Sequence, residues 1–125
     1  MILDTNALSA FFDGDARLRA LVAQAAKICL PVIVLGEFRF GLIGSCIRKV
    51  IEPALDELQA MSDVLSIDTE TVGPYAKISH QLKQAGTPIP SNDLWIAALA
   101  VQHGLPIVSQ DQHFDRVPGL RRLSW

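Results

Sequence analysis

The chain has 125 residues, half of them hydrophobic, with 11 Lys+Arg against 13 Asp+Glu and a formal net charge of −2. This length fits one domain of common size, and the composition supplies a full core, the opposite of the sparse, highly charged signature of disorder. The charge balance excludes a binder that coats nucleic-acid phosphate with a cationic excess, but leaves room for an enzyme that meets phosphate through bound cations.

In chain order, MIL is a short strand candidate that runs directly into Asp4, Thr5 and Asn6. In DARLRALVAQAAK (Asp15 to Lys27), Leu18, Leu21, Val22 and Ala25 share one face at helical spacing. ICL is a second strand, closed by Pro31. The stretch VIVLGEFRFGLIG reads as strand from its β-branched opening and as helix from Val34, Phe38 and Ile43 with Leu35 and Leu42. A short apolar run is not assignable by period alone.

Arg48 to Met61 is predicted helical, with Leu55, Leu58 and Met61 in register and Pro53 opening a new helical segment. VLSID (Val64 to Asp68) is a strand, after which Asp68 or Thr69 caps a helix that Gly86 ends. TPIP is a loop; Ser91 or Asn92 then caps DLWIAALAVQH, and Gly104 stops it. LPIVS is a further strand and RRLSW a candidate last one. Strands separated by helices predict βαβ units, hence an α/β fold in which a mostly parallel sheet is covered on both faces. Without repeats or a Gly/Ser linker, residues 1–125 are expected to form one domain.

Cys29 and Cys46 make no disulfide framework, and Cys29 lies in an apolar run, so both are expected reduced in a cytoplasmic protein. MILD places an acid where a signal peptide needs a basic start. The longest apolar run, ICLPVIVLG, is well short of the ~20 residues that cross a bilayer.

In open parallel sheets, functional groups gather beyond the carboxyl ends of the strands. Asp4 follows the first strand, and Asp111 lies just past the strand in PIVSQ. Asp93 falls in the first turn of the Ala-rich helix, where the dipole favours negative charge. Glu37 sits inside an apolar segment, which is costly unless the acid is paired, with Arg39 or Arg48 in reach, or bound to a cation. Singly, each has an ordinary structural explanation as a turn, cap or loop acid. Together they raise a specific chemistry. Carboxylates ~4 Å apart repel by on the order of 4 kcal/mol per pair at an effective dielectric of about 20. Raised pKa values or a hard divalent cation must offset that, and oxygen ligation suits Mg²⁺ or Mn²⁺ rather than Zn²⁺. Phosphoryl chemistry is the commonest work of such a site.

On LDTNALS, GEFRFGL, NDLWIAALA and VSQDQHFDRVPGL, in this order over nearly the whole chain, the sequence resembles the PIN-domain family, in its short bacterial toxin branch of VapC-like ribonucleases. The resemblance implies a three-layer α/β/α fold and places the segment around Glu37 in a helix. It implies that Asp4, Glu37, Asp93 and Asp111 surround one or two Mg²⁺ or Mn²⁺ ions, with Asp4, Asp93 and Asp111 as ligands. Thr5, Asn6 and Ser109 match polar positions that brace the acids, and Asp115 either replaces or assists Asp111. The implied reaction is hydrolysis of an RNA phosphodiester to a 5′-phosphate and a 3′-hydroxyl. Arg39 and Arg116 are the cations nearest the acids in sequence for contacting RNA, with Arg48, Lys49, Arg121 and Arg122 as further options. The resemblance further implies a homodimer and a VapB-like antitoxin whose carboxyl-terminal segment blocks the pocket. FRFGLIG is apolar enough to serve either that partner or the core.

His113, two residues past Asp111, invites a catalytic or ligand role but is read as an ordinary loop histidine, and Trp95 and Phe114 are read as packing residues. Two rival classes fail on DTN: a haloacid-dehalogenase-type phosphatase needs an acid where Asn6 stands, and a phosphoacceptor receiver domain needs adjacent acids after its first strand. A catalytically silent PIN-like scaffold stands as the alternative.

Overall fold

The computed structural model describes residues 1–125. Five strands, β1 (Ile2–Leu3), β2 (Cys29–Pro31), β3 (Asp63–Leu65), β4 (Ile107–Val108) and β5 (Arg122–Leu123), form one sheet in the order β3-β2-β1-β4-β5, and every pairing is parallel. The helices are α1 (Thr5–Asp13), α2 (Ala16–Gln24), α3 (Val32–Ile43), α4 (Arg48–Ala60), α5 (Thr69–Gln84) and α6 (Ser91–His103), with a 3-10 helix at Gln112–Arg116. The expected α/β/α architecture is the one found.

The strands are only two or three residues long, yet they anchor the core. Ile2, Leu3, Leu30, Ile107 and Val108 are fully buried, as parallel strands covered on both faces must be. Leu8, Leu18, Val34, Leu55, Leu99 and Phe114 close over them from the helices and the 3-10 turn. Trp95 is half-buried and stacks on Tyr75 with ring centroids 3.8 Å apart, clasping α6 to α5. The same pair of helices is joined by Thr71, fully buried, whose Oγ1 donates to Oε1 of Gln102 at 2.6 Å. Asp68 caps α5 as a capping box, as its sequence predicts.

Several boundaries differ from the sequence reading, each for a physical reason. The ambiguous stretch is helix from Val32 onward, because Pro31 ends β2 and becomes the helix N-cap, while Val34, Leu35, Phe38 and Leu42 form its buried stripe. TNALSAFFD, unassigned from sequence, is helix α1: Asp4 caps it, Ala7 and Leu8 are buried, and Gly14 at φ +86° closes it in the left-handed region. The helix predicted to Lys27 stops at Gln24, where Ala25 turns extended. VLSID pairs only over Asp63–Leu65 before Asp68 leaves to cap.

The N-cap of α6 is Pro90, with no side-chain cap from Ser91 or Asn92. Pro53 opens no new segment. Helix α4 runs straight through it, at the cost of the hydrogen bond Pro53 cannot donate to the exposed Lys49 turn. Pro53→Ala is therefore expected to stabilise the protein by about 1–3 kcal/mol, read as a higher urea midpoint at unchanged slope.

Candidate active site

The parallel pairing of Leu3 with Val108 brings two chain segments off the sheet at the same edge. Asp4 follows one and Ser109–Asp111 the other. Asp4 is buried, 4% exposed, and its two carboxylate oxygens are held separately. Oδ1 accepts from the Ala7 amide at 2.7 Å, capping α1, and Oδ2 accepts from the hydroxyl of fully buried Ser109. That hydroxyl also accepts from the Asp111 amide at 2.9 Å, so a single serine oxygen joins Asp4 to the Asp111 loop. Asp111 in turn caps the 3-10 helix, accepting from the His113 amide at 2.9 Å. Asp93 enters from the first turn of α6. Glu37 enters from α3, half-buried, with its Oε1 accepting from the Thr5 hydroxyl at 3.2 Å.

The electrostatics follow from this packing. Burial pushes the Asp4 carboxyl above the usual range and the charges of Asp93 and Asp111 push it further, against the hydrogen bonds from Ser109 and Ala7. Burial also raises Asp93; contact with His113 opposes the rise, and Asp111 and Glu37 add to it. Sequence reasoning did not place His113 here. Its Nδ1 lies 3.0 Å from Oδ2 of Asp111 and 3.5 Å from Oδ2 of Asp93. Neither approach is aligned as a hydrogen bond, so this enclosed nitrogen has no hydrogen-bond partner. One donor atom each from Asp93, Asp111 and His113 falls within 4.8 Å of the other two. Two carboxylate oxygens and an imidazole nitrogen at that spacing suit a divalent cation, with Asp4 beside them. The only sequence signal for His113 was its place two residues after Asp111.

The cations are distributed differently from expectation. Arg39 donates to Asp56 at 2.7 Å and Gln59 at 3.1 Å, and Arg48 pairs with Glu52 at 2.9 Å, so neither neutralises Glu37. Arg116 is exposed and makes no salt bridge. Asn6 is exposed on the first turn of α1 and makes no side-chain hydrogen bond. Asp115 is paired with Arg122: both its oxygens accept from that guanidinium, at 2.8 Å each, which holds its carboxyl below the usual range. A cavity of about 350 Å³ opens beside Thr5 and Glu37 and continues between α1, α3 and α4 past Phe12, Phe38, Leu42 and Ile47.

A carboxyl with a raised pKa binds more protons folded than unfolded. Its contribution therefore destabilises the fold as pH rises from the ordinary carboxylate range through the raised value. Asp93→Asn is expected to raise the melting temperature of metal-free protein at about pH 7.5 and to change it little at about pH 4. Equal effects at both would remove ionisation of the buried Asp93 carboxyl as the cause.

A family description, PIN domain, matches residues 1–120. Ribonuclease VapC5 of Mycobacterium tuberculosis is 28% identical over 94% of this chain and 87% of its own length. VapC ribonuclease Y4jK of Sinorhizobium fredii is 31% identical over 96% and 93%. Among solved structures, VapBC2 from Rickettsia felis, bound to a DNA fragment from its promoter, superposes with a TM-score of 0.86 at 25% identity over 99% of this chain and 97% of that one. With the sheet order, the placement of the acids and these likenesses in agreement, the chain belongs to the PIN-domain family.

Proposed function

We propose that this protein is a divalent-metal-dependent endoribonuclease, the toxin of a VapBC-like toxin–antitoxin pair, with residues 1–125 acting as one PIN-like domain in the cytoplasm. The carrying observation is the meeting of Asp93, Asp111 and His113 Nδ1 within 4.8 Å, beside buried Asp4. The ribonuclease names of the relatives support the same reading.

Asp93, Asp111 and His113 would hold the ion, with Asp4 beside them. The ion supplies an acidified water and countercharge for the scissile phosphate. An imidazole in an otherwise carboxylate set tilts the choice between Mg²⁺ and Mn²⁺ toward Mn²⁺. Glu37 forms no salt bridge and takes a hydrogen bond only from Thr5, which leaves an oxygen to accept a proton from the attacking water. Thr5 and Ser109 fix the rotamers of Glu37 and Asp4, and Asn6 stands exposed one position beyond Thr5. Arg116, exposed and without a salt bridge, is a cation available for steering RNA phosphate, whereas Arg39 is engaged with Asp56.

The antitoxin partner finds support in what α3 leaves outside. From FRFGLIG, Phe38 and Leu42 go into the core, whereas Phe40 is 79% and Ile43 65% exposed, beside exposed Ile47 and Val50. Such a patch fits an apolar partner segment, and a second copy of the chain is the other contact this reading includes. No helix is long and apolar enough to cross a membrane.

The test is cleavage of a mixed RNA panel by antitoxin-free protein in Mn²⁺. Asp93→Asn is expected to slow cleavage by about 100-fold or more, roughly 2.7 kcal/mol of transition-state stabilisation, and chelation to stop the wild type. An intact wild type that binds Mn²⁺ but cuts no RNA would favour a silent scaffold.

A further inference from the structure

Arg122 lies on the edge strand β5, outside every motif that carries the acids, and its side chain is only 16% exposed. Edge-strand arginines normally extend into water. This one is fully engaged. Its Nε and Nη2 donate to the two oxygens of Asp115 at 2.8 Å each, a fork-to-fork pair that fixes the guanidinium plane. Its Nη1 then donates to the backbone carbonyl of Ser109 at 3.0 Å. Ser109 is the residue whose hydroxyl holds Asp4 on one side and the Asp111 amide on the other.

We propose that Arg122, oriented by Asp115, is a positioning residue for the metal site: it holds Ser109 in place, and through it the separation of Asp4 and Asp111. The inference rests on the proposed metal site. The chain of contacts is continuous, Asp115 to Arg122 to Ser109 to Asp4 and Asp111. Arg122 is the side chain of β5 that reaches the backbone of residues 109–111. Strand β4 has ended at Val108, and the remaining ties to β5 and the carboxyl end are the Ser109 amide to the Leu123 carbonyl at 3.0 Å and the Gln110 side chain to the Trp125 carbonyl at 2.6 Å. The Arg122 charge also lies close enough to be felt by Asp111, so the same residue tempers the repulsion it helps to hold together. Lysine cannot replace it, because one ammonium group cannot grip both Asp115 oxygens in a fixed plane while reaching Ser109. Asp115 thus serves the site from a distance, neither replacing Asp111 nor touching its partners.

The experiment compares wild type with Arg122→Gln, Arg122→Lys and Asp115→Asn by amide NMR and by Mn²⁺ titration. Without metal, the variants are expected to shift the Asp111 and Ala7 amides, which donate to Ser109 and Asp4, and to leave the Glu70 amide at the far cap of α5 unmoved. Mn²⁺ affinity is expected to fall about 10-fold or more, the loss usual for residues that orient ligands, with no rescue by lysine. Unmoved Asp111 and Ala7 amides in folded Arg122→Gln would overturn the proposal. So would shifted amides with wild-type Mn²⁺ affinity, or full rescue by Arg122→Lys. If Arg122→Gln fails to fold, Asp115→Asn carries the same readings. A wild type that binds no Mn²⁺ would bring down the metal site itself, and the positioning role with it, whereas normal binding by wild type alongside unaffected variants would bring down only the role of Arg122.

Discussion

Carboxylates crowded at one sheet edge repel one another, and the surrounding architecture is organised around that repulsion. Asp4, Asp93 and Asp111 lie close enough for their charges to perturb one another, and Glu37 acts on Asp93. Asp93 and Asp111 bring carboxylate oxygens within 4.8 Å of each other, and for both Asp4 and Asp93 burial adds a larger cost than the neighbouring charges do. The sheet makes the crowding unavoidable: in a parallel sheet the residues after β1 and β4 leave at the same edge. What differs between the acids is how each is tolerated.

Three of the four sit at helix N-termini. Asp4 caps α1, Asp111 caps the 3-10 helix, and Asp93 lies in the first turn of α6, whose N-cap Pro90 has no capping side chain. Unpaired amides and the positive end of the peptide dipoles favour negative charge there. The fold therefore tolerates these acids through backbone geometry, without placing a lysine or arginine in the pocket. That choice leaves carboxylate oxygens available to a cation, which a direct salt bridge would have occupied. The nearby arginines are retained elsewhere: Arg39 on Asp56, Arg48 on Glu52 and Arg122 on Asp115. The raised Asp4 and Asp93 carboxyls mark the cost of this arrangement, burial first and neighbouring charge after it.

Much of this was legible in the sequence because it depends on local pattern. Asp4 after an apolar start, Asp111 after PIVS and Asp93 beside helix-starting residues can be placed on a parallel sheet by rule, and so can the Asp68 cap and the Gly86 and Gly104 stops. Helix α1 was hidden because its cap is also the site acid, and Asp4 read as chemistry did not also read as a helix start. Pro53 was given its usual meaning at a helix start, but tertiary burial of Leu55 and Leu58 carries α4 through it. His113 and Arg122 are visible in the sequence as a loop histidine near Asp111 and an optional RNA-contacting cation, but the contacts they make are not. Their significance lies in one nitrogen without a hydrogen-bond partner and one guanidinium aimed at a carbonyl, and neither follows from spacing. The alternatives for Glu37 failed likewise, since nothing in the sequence says that Arg39 and Arg48 face α4 acids.

Helix α3 couples the pocket to the outside of the molecule. Its inward stripe is apolar, and so is its outward face at Phe40 and Ile43. Apart from Glu37 and Arg39 the helix is apolar, and a helix so apolar is normally enclosed, whereas Phe40 and Ile43 stay exposed. Glu37 lies on the same helix, three residues before Phe40, which is one turn along the helix axis. The cavity beside Glu37 continues along α3 toward Ile47 and Ile51. An apolar segment laid along the outer face of α3 and α4 would therefore end within a turn of the acids, closing access to them without replacing any ligand. One helix thus carries both an exposed apolar face and an acid of the pocket.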